Sequence, residues 1–198
     1  MRELQLLVMV VGTLLFPLPA GAVDSLKYEV LDKKPQERRN FVQGLEIVDG
    51  KLYVSSGNYG QSRLMRYNFE DMSLEVSKQL NRRLFAEGVT VLHERVYQLT
   101  WRERMMLVFD KRNLDYVEWF PIPGEGWGLT NDGEHLIYSD GSDRLHFLSP
   151  DDRKARRSIQ VSENGRPVRK LNELEWIEGR VWANIWHSNR IVIINPES

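Results

Sequence analysis

The chain has 198 residues, of which 41% are hydrophobic and 28% are charged, and this composition is typical of a globular protein. The formal net charge of -1 gives no electrostatic basis for binding nucleic acid or an anionic membrane surface. The absence of cysteine excludes a disulfide framework, thiol chemistry and a cysteine lipid anchor.

The first predicted element is a secretory signal peptide, residues 1–22. Arg2 precedes the apolar run LQLLVMVVGTLLF, and small residues follow at Ala20 and Ala22. This order predicts cleavage after Ala22, which leaves residues 23–198 as the mature domain. The apolar run is short for a membrane span, with a retained N-terminal anchor as the alternative. We therefore expect a periplasmic or secreted protein that is free of the membrane after cleavage.

Four similar segments follow, and each combines a small or polar start, an apolar run, a turn and a second apolar run. Their anchor residues are spaced by 44, 40 and 45 positions and are Gln43, Glu87, Trp127 and Asn172. A third strand is predicted in every segment, and a more polar fourth strand in the first three. Four strands in about 40 to 45 residues is the size of one β-propeller blade.

The repeats predict an all-β fold, a β-propeller with about four blades represented in this chain. A β-sandwich built from similar hairpins is the alternative, and the constant phase of the repeats favours the propeller. Before the first repeat, the segment KYEVLDKKPQ (residues 27–36) is predicted to be an outer strand that has no inner partners of its own.

In a propeller the innermost strand of each blade lies beside the central channel, so the four anchor residues are expected to converge there. A second set of equivalent positions follows in the second strands, at Gly57, Trp101, Ser142 and Trp186. One set contains a single carboxylate and the other contains two indoles. Aromatic walls with a few convergent polar groups are typical of a small-ligand pocket.

Seven short motifs occur in a fixed order along nearly the whole mature chain. They are Phe41-x-Gln43-Gly44-Leu45, Tyr59-Gly60-Gln61-Ser62-x-Leu64, Phe85-x-Glu87-Gly88, Tyr97-Gln98-Leu99-Thr100-Trp101, Gly126-Trp127-Gly128-Leu129-Thr130, Ser139-Asp140-Gly141-Ser142, and Leu171-Asn172-Glu173-Leu174-Glu175 with Trp182-Ala183-Asn184-Ile185-Trp186. Together they resemble the plant- and bacterial-type glutamine cyclotransferases, also called glutaminyl-peptide cyclotransferases.

The resemblance implies a five-bladed propeller that converts the N-terminal glutamine of peptides into pyroglutamate with release of ammonia, without a metal or another cofactor. It places Glu87 on the family's acid/base glutamate and Gln43 and Asn172 on polar substrate-binding positions. The aromatic positions of the substrate pocket fall on Phe41, Trp101, Trp127 and Trp186.

The reaction gives these residue types a chemical reason. The substrate's own α-amine attacks its side-chain carboxamide, so a proton must leave the amine and reach the departing nitrogen. We predict that Glu87 shuttles this proton and that Asn172 polarises the γ-carbonyl, which makes both residues catalytic. Glu173 is an alternative acid.

Two departures from the family pattern weaken the prediction of catalysis. The glutamate expected after the tyrosine of the second strand is replaced by Val54. The family also continues into a further block with a lysine that assists the carbonyl, and we expect that this sequence is either a fragment or a truncated copy.

These departures favour a second hypothesis, a non-catalytic periplasmic propeller that binds a peptide or protein partner. A propeller lactonase is a third and weaker possibility, because it would need a cluster of metal-binding carboxylates that the sequence does not show. Histidine spacing indicates no metal site either, because the four histidines share no ligand pattern.

Overall fold

All regular secondary structure in residues 25–197, the part of the chain that this computed structural model describes, is β-strand. The strands form four antiparallel sheets and one short hairpin. The first sheet contains β1 (Val42–Val48), β2 (Lys51–Ser56), β3 (Arg63–Asn68) and β4 (Leu74–Gln79). The second contains β5 (Ala86–Leu92), β6 (Arg95–Thr100), β7 (Met105–Asp110) and β8 (Tyr116–Pro121). The third contains β9 (Leu129–Asn131), β10 (Leu136–Ser139), β11 (Arg144–Leu148) and β12 (Ala155–Gln160).

A short hairpin and a three-stranded sheet complete the fold. The hairpin pairs β13 (Ser162–Glu163) with β14 (Arg166–Pro167), and the fourth sheet contains β15 (Leu171–Ile177), β16 (Arg180–Ile185) and β17 (Ile191–Ile194). In every sheet the strands are ordered as they occur in the sequence, so each sheet is a meander.

The four sheets are arranged as the blades of a β-propeller. The first strand of each sheet contacts the first strand of the next: β1 with β5, β5 with β9, β9 with β15, and β15 with β1. This closed cycle of inner strands confirms the predicted propeller, and the sandwich alternative is wrong.

Local sequence explains the tight turns between the first two strands of several blades. Asp49 and Gly50 have φ values of 51° and 70°, and Glu178 and Gly179 have φ values of 50° and 76°. Two successive residues with positive φ form the tight turn that joins the two strands of a β-hairpin. Glycine adopts this backbone conformation at little cost. Asp49-Gly50 and Glu178-Gly179 are therefore the two-residue turns that connect β1 to β2 and β15 to β16.

Apolar side chains fill three of the four seams between neighbouring blades. One cluster joins the first and second sheets, another joins the second and third, and a further cluster joins the third and fourth. The remaining cluster, formed by Leu52, Val54, Met65 and Tyr67, belongs to the first sheet alone. The seam between the fourth and first sheets thus has no shared apolar cluster among the described residues.

The segment that precedes the first blade differs from its prediction. Residues 27–36 form no strand, and Tyr28 and Leu31 are largely exposed to solvent. A strand needs a sheet edge to pair with, and residues 27–36 pair with neither β4 nor β17, the outer strands of the first and fourth sheets. The prediction of an outer strand here is wrong.

The predicted signal peptide, residues 1–22, lies outside the described residues, so its cleavage and the export of the protein stay predictions. Within residues 25–197 there is no helix with the length and apolar character needed to cross a bilayer. The same range holds no group of three or more His, Cys, Asp or Glu side chains that could bind a metal ion.

Candidate active site

Three glycines allow the inner strands to approach one another closely at the hub. A Cβ atom added to Gly44 would lie 2.7 Å from the main-chain nitrogen of Val89, and one added to Gly128 would lie 1.9 Å from the carbonyl oxygen of Asn172. Gly88 is similarly confined, because a Cβ atom added there would lie 2.4 Å from the main-chain nitrogen of Leu129. Only glycine fits such contacts, and the residues that precede the three glycines are thereby brought to one place.

Irregular pairing at the start of the inner strands positions the predicted polar residues. The register between the first two strands shifts between Val42 and Gly44 in the first blade, and between Ala86 and Val89 in the second. In the fourth blade it shifts between Leu171 and Leu174. These irregular stretches contain Gln43, Glu87 and Asn172. Bulges of this kind re-aim side chains and are frequent next to active sites.

Glu87 lies at the centre of this arrangement. Its residue is only 5% exposed, and its Oε2 accepts a hydrogen bond from Nε2 of Gln43 at 3.0 Å. Burial raises the pKa of Glu87 to about 8; the Gln43 hydrogen bond opposes this shift, and the charges of Glu125 and Glu103 add to it. A carboxyl group in this pKa range can both accept and donate a proton near neutral pH.

Aromatic rings form a wall beside Glu87, built from edge-to-face contacts within and between blades. The ring of Phe85 lies 6.3 Å from that of Phe41 and 5.5 Å from that of Trp101. On the neighbouring side, the rings of Trp127 and Trp186 are 5.4 Å apart at 82°. These separations are within the range of favourable aromatic pairs.

The side chain of Glu125 connects the two groups of rings. Its Oε2 accepts the indole N–H of Trp101 at 2.8 Å and that of Trp127 at 3.1 Å. All four predicted aromatic residues therefore belong to one connected wall.

Asn172 reaches the hub through its main chain. Its carbonyl oxygen accepts a hydrogen bond from Oγ of Ser139 at 2.8 Å and closely approaches Gly128. Its side-chain amide forms no hydrogen bond within residues 25–197, so its donor and acceptor remain available to a ligand.

The side chain of the neighbouring Glu173 bonds to the main chain of another blade. Its Oε1 accepts a hydrogen bond from the main-chain nitrogen of Leu45 at 2.9 Å, while its Oε2 is buried without a hydrogen-bond partner. Burial raises the pKa of Glu173 well above its ordinary value. This residue links the fourth blade to the first.

Three residues that surround Glu87 were not among the predicted site residues: Phe85, Glu103 and Glu125. The repeat pattern contained the signal for Phe85, because Phe41 and Phe85 both lie two residues before an anchor. In the third and fourth repeats this place is taken by Glu125 and Lys170.

Glu103 follows Trp101 by two residues, and no pattern in the sequence marks it. Its carboxylate accepts a hydrogen bond from the hydroxyl of Tyr59 at 2.9 Å.

The blades define a β-propeller whose hub combines the buried carboxylate of Glu87 with a wall of aromatic rings. The sequence matches the family described as glutamine cyclotransferase over residues 5–198. The chain therefore belongs to the glutamine cyclotransferase family, and the predicted resemblance is confirmed.

Individual relatives agree with this assignment. The chain is 37% identical over 171 residues to a glutaminyl-peptide cyclotransferase of Arabidopsis thaliana, a match that covers 85% of this chain and 53% of the relative. It spans about half the length of that curated relative. The crystal structure of Myxococcus xanthus glutaminyl cyclase superposes with a TM-score of 0.79 at 32% identity, covering 86% of this chain and 72% of the other.

More distant structures share the fold alone. The WD40 domain of Neurospora crassa Pan2 superposes with a TM-score of 0.57 at 11% identity, over 77% of this chain and 46% of the other. The comparisons do not test the role of any single residue, so the roles assigned to the site residues stay predictions.

Proposed function

We propose that the protein is a glutaminyl-peptide cyclotransferase, which converts the N-terminal glutamine of a peptide into pyroglutamate and releases ammonia. The observation that supports this best is the buried carboxylate of Glu87, held by Gln43 at 3.0 Å beside an aromatic wall. Membership of the glutamine cyclotransferase family supports the same reaction.

In the proposed reaction the α-amino nitrogen of the substrate attacks Cδ of its own side chain, and a C–N bond forms. The carbonyl carbon becomes tetrahedral, and its bond to the amide nitrogen then breaks. One proton leaves the attacking nitrogen and one is added to the departing nitrogen, so that the products are the lactam and ammonia. Because both reacting groups belong to one residue, the site needs only to hold them in a reactive conformation.

Glu87 accepts the proton from the amine and returns it to the leaving nitrogen. The pKa of about 8 that burial gives Glu87 is close to the ordinary value of an α-amine, roughly 8. Proton transfer between groups of similar pKa requires little free energy in either direction. The free side-chain amide of Asn172 donates to the carbonyl oxygen as negative charge develops on it.

The aromatic wall binds and orients the substrate. The rings of Trp101 and Trp127 exclude water from the reacting groups and pack against the aliphatic part of the glutamine side chain. A neutral amine is favoured in such surroundings because desolvation penalises its charged form.

The test is ammonia release from a glutamine-initiated peptide by the wild-type protein and by the Glu87→Gln variant. We expect the variant to lose about 100-fold or more of kcat, the range of general acid–base catalysis. Glu46→Gln is the matched control, because Glu46 lies on inner strand β1 and bonds to Thr90, outside the aromatic wall. Undiminished turnover by Glu87→Gln would remove Glu87 from the mechanism. Addition of EDTA to the wild-type assay tests the proposed independence from metals.

A binding function without catalysis is the second candidate, and the structure offers one observation in its favour. Val54, which replaces the glutamate expected from the family pattern, is fully buried in the apolar cluster of the first sheet. Calorimetric binding of a glutamine-initiated peptide without release of ammonia would support this candidate against the cyclotransferase.

Export of the protein is also part of the proposal. The sequence of the first 22 residues supports it. N-terminal sequencing of the protein recovered from the periplasm or medium should begin at Val23. Recovery of the intact N-terminus in the cytoplasmic fraction would contradict export.

A further inference from the structure

Glu125 makes an unusual pair of contacts, because a single oxygen of its carboxylate accepts two indole N–H groups from different blades. The donors are Nε1 of Trp101 at 2.8 Å, from the end of the second blade's second strand, and Nε1 of Trp127 at 3.1 Å, from the start of the third blade. An indole N–H that is removed from water needs an acceptor, and a charged acceptor gives the stronger hydrogen bond.

The surrounding main chain fixes the place of this carboxylate. The amide of Gly126 donates to the carbonyl of Trp101 at 3.1 Å, and a Cβ atom at Gly126 would lie 2.6 Å from the carbonyl oxygen of Thr100. The loop before the third blade is thus packed directly against the end of β6. Glu125 stands where the first two repeats have Phe41 and Phe85 and the fourth has Lys170, so the third repeat places a carboxylate at this position.

We propose that Glu125 is a positioning residue that holds the indoles of Trp101 and Trp127 as the two walls of the substrate pocket. This inference deepens the proposed cyclotransferase function and rests on it. Glu125 acts through the two tryptophans and need not touch the substrate. It fixes the distance between rings of neighbouring blades, and this distance determines how closely the glutamine side chain is held.

The charge of Glu125 has a second effect, which is electrostatic. Arg102 lies over the ring of Trp101 at 4.1 Å, and its Nε is 3.8 Å from Oε1 of Glu125. This guanidinium is largely exposed, so it only partly offsets the carboxylate. The charge of Glu125 therefore still contributes to the raised pKa of Glu87. The charged and titratable groups around this pair are Glu103, Glu173, Tyr59 and Arg102.

Two variants separate the positional effect from the effect of charge. Glu125→Gln keeps an acceptor oxygen of similar geometry and removes the charge, whereas Glu125→Ala removes both. Glu103→Gln is the matched control: it neutralises another carboxylate that raises the pKa of Glu87, but it contacts neither indole.

The first measurement does not depend on activity. Indole ¹⁵N–¹H resonances of Trp101 and Trp127 are recorded by NMR after assignment with Trp→Phe variants. We expect both resonances to move together in Glu125→Ala, to move less in Glu125→Gln, and to stay in place in Glu103→Gln. Unchanged indole resonances in Glu125→Ala would show that the shared hydrogen bonds do not exist in solution and would overturn the inference.

The second measurement is the pH profile of kcat/KM with a glutamine-initiated peptide. We expect Glu125→Ala to lower kcat/KM by about 10- to 100-fold through loss of positioning. Glu125→Gln should restore most of this loss and move the limb that reports Glu87 to lower pH. Because removal of a nearby negative charge lowers the pKa of a carboxyl group, the direction is the same whether Glu87 acts as base or acid.

The outcomes distinguish the inference from the proposed function. If the wild-type protein releases no ammonia, the cyclotransferase proposal fails, and the NMR measurement alone decides whether Glu125 positions the indoles. If the wild type is active but Glu125→Ala has wild-type kinetics, the positioning role fails and the cyclotransferase proposal stands. Thermal unfolding of each variant identifies any that lose activity by failing to fold.

Discussion

The pKa of Glu87 is set by influences that act in opposite directions. Burial and the nearby charges of Glu103 and Glu125 raise its pKa, and the amide of Gln43 lowers it by donating a hydrogen bond to the charged form. The ionisation of Glu87 can therefore be adjusted in either direction by a single substitution.

Replacement of Gln43 by Met, which is similar in size, tests this balance. Loss of the hydrogen bond removes the contribution that lowers the pKa of Glu87, so the pKa should rise above about 8. We expect the limb of the pH profile that reports Glu87 to move to higher pH, opposite to the shift expected for Glu125→Gln. A shift to lower pH in Gln43→Met would show that the hydrogen bond does not stabilise the carboxylate.

The close approach of the inner strands depends on positions where no side chain fits. Gly128 is the most confined of them, with its added Cβ only 1.9 Å from the carbonyl oxygen of Asn172. Both neighbours in this contact are main chain, and neither can move aside as a flexible side chain would. The hub is therefore less tolerant of substitution than the hairpin turns at the ends of the blades.

A pair of glycine substitutions measures this difference between elements. We expect Gly128→Ala to lower the free energy of unfolding by about 3 kcal/mol or to prevent folding. Gly179→Ala should cost about 1 kcal/mol, because the φ of 76° is strained for alanine but no atom lies near the added Cβ. Urea denaturation followed by circular dichroism checks both values. Equal costs would contradict the role given to the hub contact.

The outer strand of the fourth blade has a different property. β17 lies at the end of its sheet in the described residues, and Ile191 at its start is 64% exposed. An exposed apolar edge strand can pair with another chain, whereas lysine at an edge opposes such pairing. We expect the wild-type protein to self-associate in analytical ultracentrifugation and Ile191→Lys to self-associate less, with the proposed ammonia release from a glutamine-initiated peptide unchanged. Equal self-association of the variant and the wild type would contradict this expectation.

Across the whole molecule, carboxyl groups of the inner strands β1 and β15 lie close together, where the fourth and first sheets share no apolar cluster. Glu46 on β1 also bonds across to Thr90 of the second blade. The hydrogen bond from Leu45 to Glu173 joins the first and fourth blades there. Burial raises the pKa of Glu46 to about 7 and that of Glu175 to about 7, and the charge of Glu46 adds to the latter. Ionisation of these groups places negative charges in one narrow region.

This arrangement predicts a loss of stability as the pH rises. The folded-state pKa values are above the ordinary value of 4.5, so the stabilisation present below pH 4.5 is lost as the pH passes through about 7. We expect a smaller free energy of unfolding at pH 8 than at pH 5. Glu46→Gln should reduce this difference by about 1–2 kcal/mol. Urea unfolding at the two pH values is the measurement, and a protein more stable at pH 8 would contradict it.

Sequence reasoning succeeded where local signals repeat and failed where distant parts determine the outcome. The turns at Asp49 and Glu178 follow from neighbouring residues, and the phase of the repeats placed Gln43 and Glu87 at one hub. The strand predicted over residues 27–36 is absent, because its existence depends on a partner edge and not on its own apolar pattern. The link through Glu125 was equally hidden, since it joins side chains of two blades.

Three neighbouring tryptophans also give the protein an optical property. Trp127 and Trp186 are in ring contact, and Trp101 shares its acceptor with Trp127. Indole emission depends on the polarity and hydrogen bonding around the excited ring, and energy absorbed by one of these rings passes readily to the next. A ligand that binds against these rings should therefore change the ultraviolet fluorescence of all three together, and an unlabelled sample in a cuvette would reveal when it binds.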